Sequence, residues 1–168
     1  MAHPPDDFAG FYLESKNRCF RALLATVGNV DEADELLAEA YTRAFANWFS
    51  VATHPAPAAW VVRTALNLHR DRWRRRERLA PLSVERPSAH SSLVDPGIIA
   101  SICRLPTRQR EVLVYRVLLD LSAGETAREL GIDPGTVGTH LRRALGALRA
   151  DLRPSEVLTT TKEPEYER

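Results

Sequence analysis

Residues 122–145 read SAGETARELGIDPGTVGTHLRRAL, and this stretch decides the fold of the second half of the chain. Ser122 followed three residues later by Glu125 is a capping box, which predicts the start of a helix. Gly131 is placed to end that helix, and Asp133 before a proline supplies the N-cap of the next one. The pattern predicts a helix-turn-helix, a unit whose second helix presents its exposed start to the major groove of DNA.

Apolar residues at helical spacing on both helices support this prediction. They form the seam Ala127, Leu130, Val137, Leu141, Leu145 and Leu148. The polar residues at the exposed start of the second helix can bind base edges or phosphates of DNA. The predicted contacts are Thr136, Thr139, His140, Arg142 and Arg143.

Composition restricts the class of protein. With 168 residues and 44% hydrophobic content, the chain can bury one moderate core or two small ones. Cys19 and Cys103 lie far apart without CxxC spacing, which fits a reducing cytoplasm and predicts no metal site. No apolar run approaches membrane-spanning length, and the first residues do not resemble a signal peptide. We expect a cytoplasmic protein with no membrane insertion, no metal and no cofactor.

The net charge of +1 hides a segregation along the chain. The formal charge is −4 over residues 1–50, +5 over 51–78, −1 over 79–97, +3 over 98–153 and −2 over 154–168. This pattern predicts two surfaces that contact DNA and an acidic leading segment that meets a different partner.

The first half shows the periodicity of three helices. The first runs from about Phe8 to Val27, and the second opens at an N-cap Asp31 with an apolar face that ends at Trp48. The third runs over about residues 58–78 and ends in an arginine-rich stretch.

Residues 79–97 contain prolines and serines without a sustained period, which is typical of a flexible linker. The predicted fold is therefore all-α, with two small helical domains, residues 1–78 and 98–153, joined by this linker. In the second domain Thr107 is a candidate helix cap. Residues 154–168 have too few apolar residues to pack, so we expect a disordered acidic tail.

Three stretches in this order resemble the extracytoplasmic-function (ECF) sigma factors of bacteria, of the sigma-70 family. They are DEADELLAEAYTRAF at residues 31–45, AWVVRTALNLHRDRWRRR at 59–76 and LPTRQREVL at 105–113. The resemblance covers roughly residues 8–152.

The resemblance implies a protein that is not an enzyme. It implies binding of core RNA polymerase through the clamp helices of the largest subunit, recognition of promoter DNA and, as a further partner, an anti-sigma factor. The expected polymerase contacts are Asp31, Asp34, Glu35, Leu37 and Glu39. The expected contacts to the −10 region are Arg63, Asn67, Arg70, Arg72, Arg74, Arg75 and Arg76, and the helix-turn-helix residues named above would read the −35 element.

Two other classes of function are weighed against this one. The sequence TVGTHL at residues 136–141 is also similar to the recognition helix of LuxR-type regulators, which act without entering the polymerase. That class gives no reason for Asn67 within an arginine-rich helix. A small nuclease is disfavoured because no carboxylate pair, histidine cluster or glycine-rich phosphate loop stands at catalytic spacing.

Overall fold

The computed structural model describes residues 4–79 and 95–152, and within these ranges the chain forms eight α-helices and no strand. The helices are α1 (Pro4–Val27), α2 (Val30–Ala46), α3 (Trp48–Ala52), α4 (Pro57–Leu79), α5 (Pro96–Cys103), α6 (Thr107–Leu113), α7 (Ala123–Leu130) and α8 (Pro134–Asp151). The all-α prediction is confirmed. The predicted tail and residues 80–94 of the predicted linker lie outside the described residues.

Local sequence explains the first helix boundary. Helix α1 ends at Val27 and is followed by Gly28, whose φ of 78° is a left-handed conformation that glycine adopts without strain. The side chain of Asn29 then accepts a hydrogen bond from the Glu32 backbone N–H at 2.9 Å and caps α2. The predicted N-cap Asp31 is wrong by two residues, because Asn29 is an equally good cap and lies directly after the glycine.

Helices α1, α2 and α4 form the first domain around apolar positions that repeat at helical spacing. Leu23, Leu36, Val61 and Ala65 are fully buried among them. At the far end of α2 the chain breaks at Asn47, so Trp48 starts the short helix α3 instead of continuing α2. Trp48 is still buried, as its place on the apolar face predicts.

The helix-turn-helix forms as predicted. Ser122 and Glu125 make both hydrogen bonds of the capping box, and Gly131 ends α7 with a φ of 63°. The Asp133 side chain accepts from the backbone N–H of residue 135 at 2.8 Å and caps α8. Val137 is fully buried in the seam between the two helices.

Two features of the second domain differ from the sequence prediction or go beyond it. Thr107 does not cap α6: it is the first residue of that helix, and the cap position is Pro106, which makes no side-chain cap bond. Helix α6 continues into a π-helical turn, Val114–Leu118, in which Tyr115 is buried. Such wide turns let a helix carry an extra residue and change direction.

The two domains share one hydrophobic core. Helix α1 packs against α5 and against the π-helical turn, and buried residues of both domains belong to one continuous cluster. The Cys103 thiol donates a hydrogen bond to the Ala25 carbonyl at 3.7 Å, across this contact. The interface between domains was not predicted from the sequence.

Candidate nucleic-acid interface

Helix α4 carries all seven residues predicted to contact the −10 region. Six are exposed and Arg72 is half-buried. Arg63, Asn67 and Arg70 are spaced four and three apart, so they share one side of the helix. This side faces the second domain, and its side chains line a cavity of about 390 Å³ together with residues of α6 and α7.

Glu111 of α6 lies against the Arg70 end of this side of α4. Its side chain is only 3% exposed, and it forms ion pairs with Arg70 across the domain contact and with Arg108 at 3.0 Å in its own helix. Arg70 also donates to the Asn67 side-chain oxygen at 3.2 Å. Because a buried carboxylate needs charged or hydrogen-bonding partners, the two arginines compensate the burial of Glu111.

Glu129 of α7 lies against the Arg63 end of the same side. Its side chain is 9% exposed and lies 3.5 Å from Arg63 and 3.4 Å from His54. The Ala56 backbone N–H donates to His54 Nδ1 at 3.0 Å, so Nε2 carries the ring hydrogen and can donate to Glu129. Two acidic side chains of the second domain are therefore paired with two of the residues predicted to contact DNA, Arg63 and Arg70.

Arg72 points to a different neighbour. It forms ion pairs with Glu35 and Glu39 of α2, each at 3.2 Å. A residue predicted to contact DNA is thus paired with two residues predicted to contact the polymerase. At the end of α4, Arg74, Arg75 and Arg76 are exposed.

The start of α8 is open to solvent. Thr136, Arg142 and Arg143 are exposed, and Thr139 and His140 are half-buried. The Nδ1 atom of His140 is buried and has no hydrogen-bond partner among the described residues. These side chains carry two hydroxyl groups, one imidazole and two guanidinium groups, which are groups that can bind base edges and phosphates.

The predicted polymerase contacts divide into two groups. Asp31, Asp34 and Glu35 are exposed and Glu39 is half-buried, on the solvent side of α2. Leu37 is buried in the core of the first domain, so its assignment to a surface contact is corrected. Its place in the helical repeat puts it beside Leu36, on the apolar face.

Sequence reasoning missed several surface and interface residues. No local sequence pattern predicts that Glu111 and Glu129 lie in an interface, since acidic residues within a helix are ordinarily on the surface. Phe45 and Phe49 are 60% and 80% exposed beside Trp48, at the end of α2 and in α3. Helix α2 ends one residue after Phe45, whose ring lies 5.1 Å from that of Phe8, measured between centroids.

Two buried groups of the first domain, the Cys19 thiol and the Tyr41 hydroxyl, are held in their protonated forms. Burial raises the pKa of the Cys19 thiol to about 11 and also raises the pKa of Tyr41, whose hydroxyl lies 2.8 Å from the Ser15 hydroxyl. Both groups therefore stay protonated at neutral pH. Within residues 4–79 and 95–152, no three His, Cys, Asp or Glu side chains are grouped to hold a metal ion.

None of the helices in the described part of the chain is long and apolar enough to cross a membrane.

Comparison with known proteins matches both halves of the chain. The family model for sigma-70 region 2 matches residues 11–79, and the model for sigma-70 region 4 matches residues 97–148. The ECF RNA polymerase sigma factor SigW of Bacillus subtilis is 29% identical, over 88% of this chain and 90% of its own length. The RNA polymerase sigma-E factor of Streptomyces antibioticus is 30% identical, over 75% of this chain and 73% of its own length.

A solved structure has a similar fold. The sigma factor RpoE of Bartonella quintana, determined in complex with the anti-sigma factor NepR, superimposes with a TM-score of 0.72 at 20% identity. The superposition covers 89% of this chain and 98% of that one.

These matches define a class of transcription initiation factors, and the chain belongs to the ECF sigma factors of the sigma-70 family. It binds core RNA polymerase and promoter DNA and directs promoter-specific initiation. The matches lend no support to the LuxR-type alternative.

Proposed function

We propose a division of promoter contacts between two domains, residues 1–78 and 98–153. The first domain holds the non-template strand of the −10 element along α4, and the second reads the −35 element with the start of α8. The observation that carries this assignment is the exposed position of arginines on both helices, Arg74–Arg76 on α4 and Arg142 and Arg143 on α8. Arginine suits this role because its planar fork binds phosphate and guanine in two places at once.

Within α4 we assign phosphate contacts to Arg63, Arg70, Arg74, Arg75 and Arg76, and a weaker one to Arg72, which Glu35 and Glu39 partly neutralise. Asn67 is different, because an amide can donate to and accept from the edge of one base. A base that has left the duplex stack exposes that edge, and proteins that read unstacked bases form hydrogen bonds to their Watson–Crick edges. Asn67 is therefore assigned to an unpaired base of the −10 element.

We assign the polymerase contact to the exposed acidic residues of α2, namely Asp31, Asp34, Glu35 and Glu39. An acidic helix is repelled by phosphate and suits a basic protein surface such as that of the polymerase clamp. We further propose that an anti-sigma factor binds this chain, as one does in the RpoE–NepR complex. These roles need no catalysis by the chain itself, and they place it in the cytoplasm with the polymerase.

The experiment that tests this map separates promoter binding from promoter opening. Asn67→Ala should leave formation of the closed complex within about twofold and reduce the fraction of open complex about tenfold or more, since one lost base contact costs roughly 1–3 kcal/mol. Permanganate reactivity of unpaired thymines measures opening, and a filter or mobility assay at low temperature measures closed binding.

Asn17→Ala is the matched control, because Asn17 is an exposed asparagine on α1. It should change neither step. Equal losses at both steps in the Asn67 variant would contradict the assignment to an unpaired base.

A further inference from the structure

We propose that a cavity between α1, α4 and α6 is a binding site for a nucleoside diphosphate or triphosphate. The cavity has a volume of about 450 Å³ and is lined by residues of all three helices. Binding sites for small molecules and cofactors measure about 300–1,000 Å³, so the space is large enough for a nucleotide. Such a site is independent of the promoter and polymerase contacts assigned above.

The charge of the cavity lining favours an anion. Among the described residues, three arginines line the cavity, Arg70, Arg74 and Arg110, together with one carboxylate, that of Glu111. Glu111 is already paired with Arg70. Arg74 lies 3.9 Å from Asp71 in an exposed pair, which solvent weakens. Arg74 and Arg110 therefore remain to bind a negatively charged ligand, and a guanidinium binds phosphate through two parallel hydrogen bonds.

Arg110 of α6 has an unused hydrogen-bond donor. The side chain is half-buried, and its Nη1 atom donates to the Cys103 carbonyl at 3.0 Å. Its Nε atom is buried and has no hydrogen-bond partner among the described residues. A buried N–H without an acceptor costs free energy, and a ligand oxygen that accepts from it removes this cost.

Trp73 adds a flat apolar surface to the same cavity. It precedes Arg74 in α4, lines the cavity with it and is 54% exposed. Aromatic rings stack on nucleobases of every type, and proteins that bind single-stranded nucleic acids combine such rings with basic groups that hold the phosphates. An exposed indole beside two guanidinium groups is therefore suited to a base and its phosphates.

The two arginines indicate how many phosphates the ligand carries. Arg74 belongs to α4 and Arg110 to α6, so a chain of two or three phosphates can offer oxygens to both. Inorganic phosphate has no surface for Trp73. The exposed Thr107 also lines the cavity, and its hydroxyl can donate to a phosphate or accept from a ribose hydroxyl.

Calorimetric titration of the full chain with ADP tests the site without DNA or polymerase. ADP should bind with a Kd of about 1–100 µM, the range that ligand efficiency allows for a molecule of this size. Adenosine and pyrophosphate each lack one half of the ligand and should bind at least about tenfold more weakly. ADP should also quench tryptophan fluorescence. This quenching should disappear in Trp73→Leu, because neither Trp48 nor Trp60 lines the cavity.

Two surface variants and one control test the residues of the site. Arg74→Ala and Trp73→Leu should each weaken ADP binding by about tenfold or more. Both side chains are exposed, so neither substitution should unfold the chain. Arg149→Ala is the matched control, because Arg149 is an exposed arginine that does not line the cavity. It should bind ADP as the wild-type chain does.

Arg110→Gln tests the buried donor separately. In the wild-type chain ADP should raise the melting temperature, since a ligand that binds only the folded state stabilises it. Arg110→Gln should weaken ADP binding by about tenfold. A variant with native melting temperature and unchanged ADP affinity would contradict the proposal. If the loss of the Cys103 contact lowers the melting temperature, Arg74→Ala and Trp73→Leu decide the question.

The remaining outcomes distinguish a free nucleotide from a nucleotide within DNA. Saturable ADP binding that Arg74→Ala and Trp73→Leu weaken, and Arg149→Ala does not, supports the proposal. No saturable binding up to about 1 mM ADP overturns it, as does pyrophosphate that binds as tightly as ADP. A short single-stranded DNA carries the same chemistry. If it quenches Trp73 and ADP does not, the cavity belongs to the DNA path, and the nucleotide site is wrong while the promoter contacts stand.

Discussion

Glu111 shows how one side chain sets what its neighbours can do. Its carboxylate is almost fully buried between Arg70 and Arg108, so two cations are held in one place by a single acid. Arg143, in contrast, is exposed and has no ion pair among the described residues. Arginines of the same type are thus available for different tasks according to their surroundings.

Arg143→Ala tests base reading at the start of α8. If Arg143 binds a guanine in two places, the substitution should cost about 1–3 kcal/mol of −35 affinity and relax preference at one base pair. If it contacts only phosphate, all sequences should weaken alike. Competition binding with single-base variants of the −35 element measures both quantities.

Arg149→Ala provides the reference for this experiment. Arg149 is also exposed but lies in the last turn of α8, away from the end that enters the groove. An equal loss of specificity in the Arg149 variant would argue against the proposed orientation of the helix.

Individual side chains could be predicted from the sequence where a local rule governs them. Ser122, Asp133 and Gly131 are fixed by cap chemistry within a few residues, and the structure has them as predicted. Leu37 was misassigned to the surface although its place in the helical repeat puts it on the apolar face of α2, where it is buried. The pairing of Arg70 with Glu111 spans 41 residues, and no local pattern contains it.

At the scale of elements, helix α8 carries the predicted DNA-contacting residues and also contains Gly138, a residue that lowers helix stability. Gly138 lies within the helix and has no left-handed φ, and apart from its chain neighbours and the backbone of its own helical turns no atom lies within 4 Å of the place that a Cβ would take. Glycine inside a helix costs about 1 kcal/mol relative to alanine because its unfolded state has more freedom. The helix can therefore be stabilised at this position.

Gly138→Ala should raise the free energy of unfolding by about 0.5–1 kcal/mol, measured by urea denaturation. Gly131→Ala should have the opposite sign, because φ at Gly131 is +63° and alanine is strained there. A destabilised Gly138 variant would show that the space beside this residue is not as open as the structure has it.

Helix α4 differs from α8 in its last turns, where arginines outnumber apolar residues. Replacing both Arg74 and Arg75 with alanine should reduce the log–log slope of DNA affinity against salt by about 1.4–1.8, since each phosphate contact contributes roughly 0.7–0.9. The effect should be the same for all DNA sequences. Titrations at several salt concentrations measure the slope.

Arg72 is the contrasting position for this measurement, because Glu35 and Glu39 already neutralise it. Arg72→Ala should therefore change the slope less than either exposed arginine does. An unchanged slope in the Arg74 and Arg75 double variant would contradict phosphate binding by this end of α4.

Element boundaries follow from the sequence except where two local signals compete. Asn29 and Asp31 are both good caps, and the structure uses the one next to Gly28. The π-helical turn has no simple sequence pattern, since its residues are apolar as in any buried helix. The helix-turn-helix was predictable because caps, glycine and apolar seam all agree.

At the scale of the whole molecule, the two domains are recognisable separately but their packing is not. The family models match each half by itself, at residues 11–79 and 97–148. The shared core of α1, α5 and the π-helical turn joins residues far apart in sequence. Such contacts depend on complementary surfaces, which periodicity and composition do not report.

The most direct test of the central claim, that these two helical domains direct initiation from within the polymerase, is run-off transcription. Templates carry promoters located by mapping transcript starts after overexpression of the protein. Core RNA polymerase with the wild-type chain should give discrete transcripts from the mapped starts, and core alone or core with Asn67→Ala should give few or none. Transcripts that require a different sigma factor, with this chain only modulating their amount, would contradict the account.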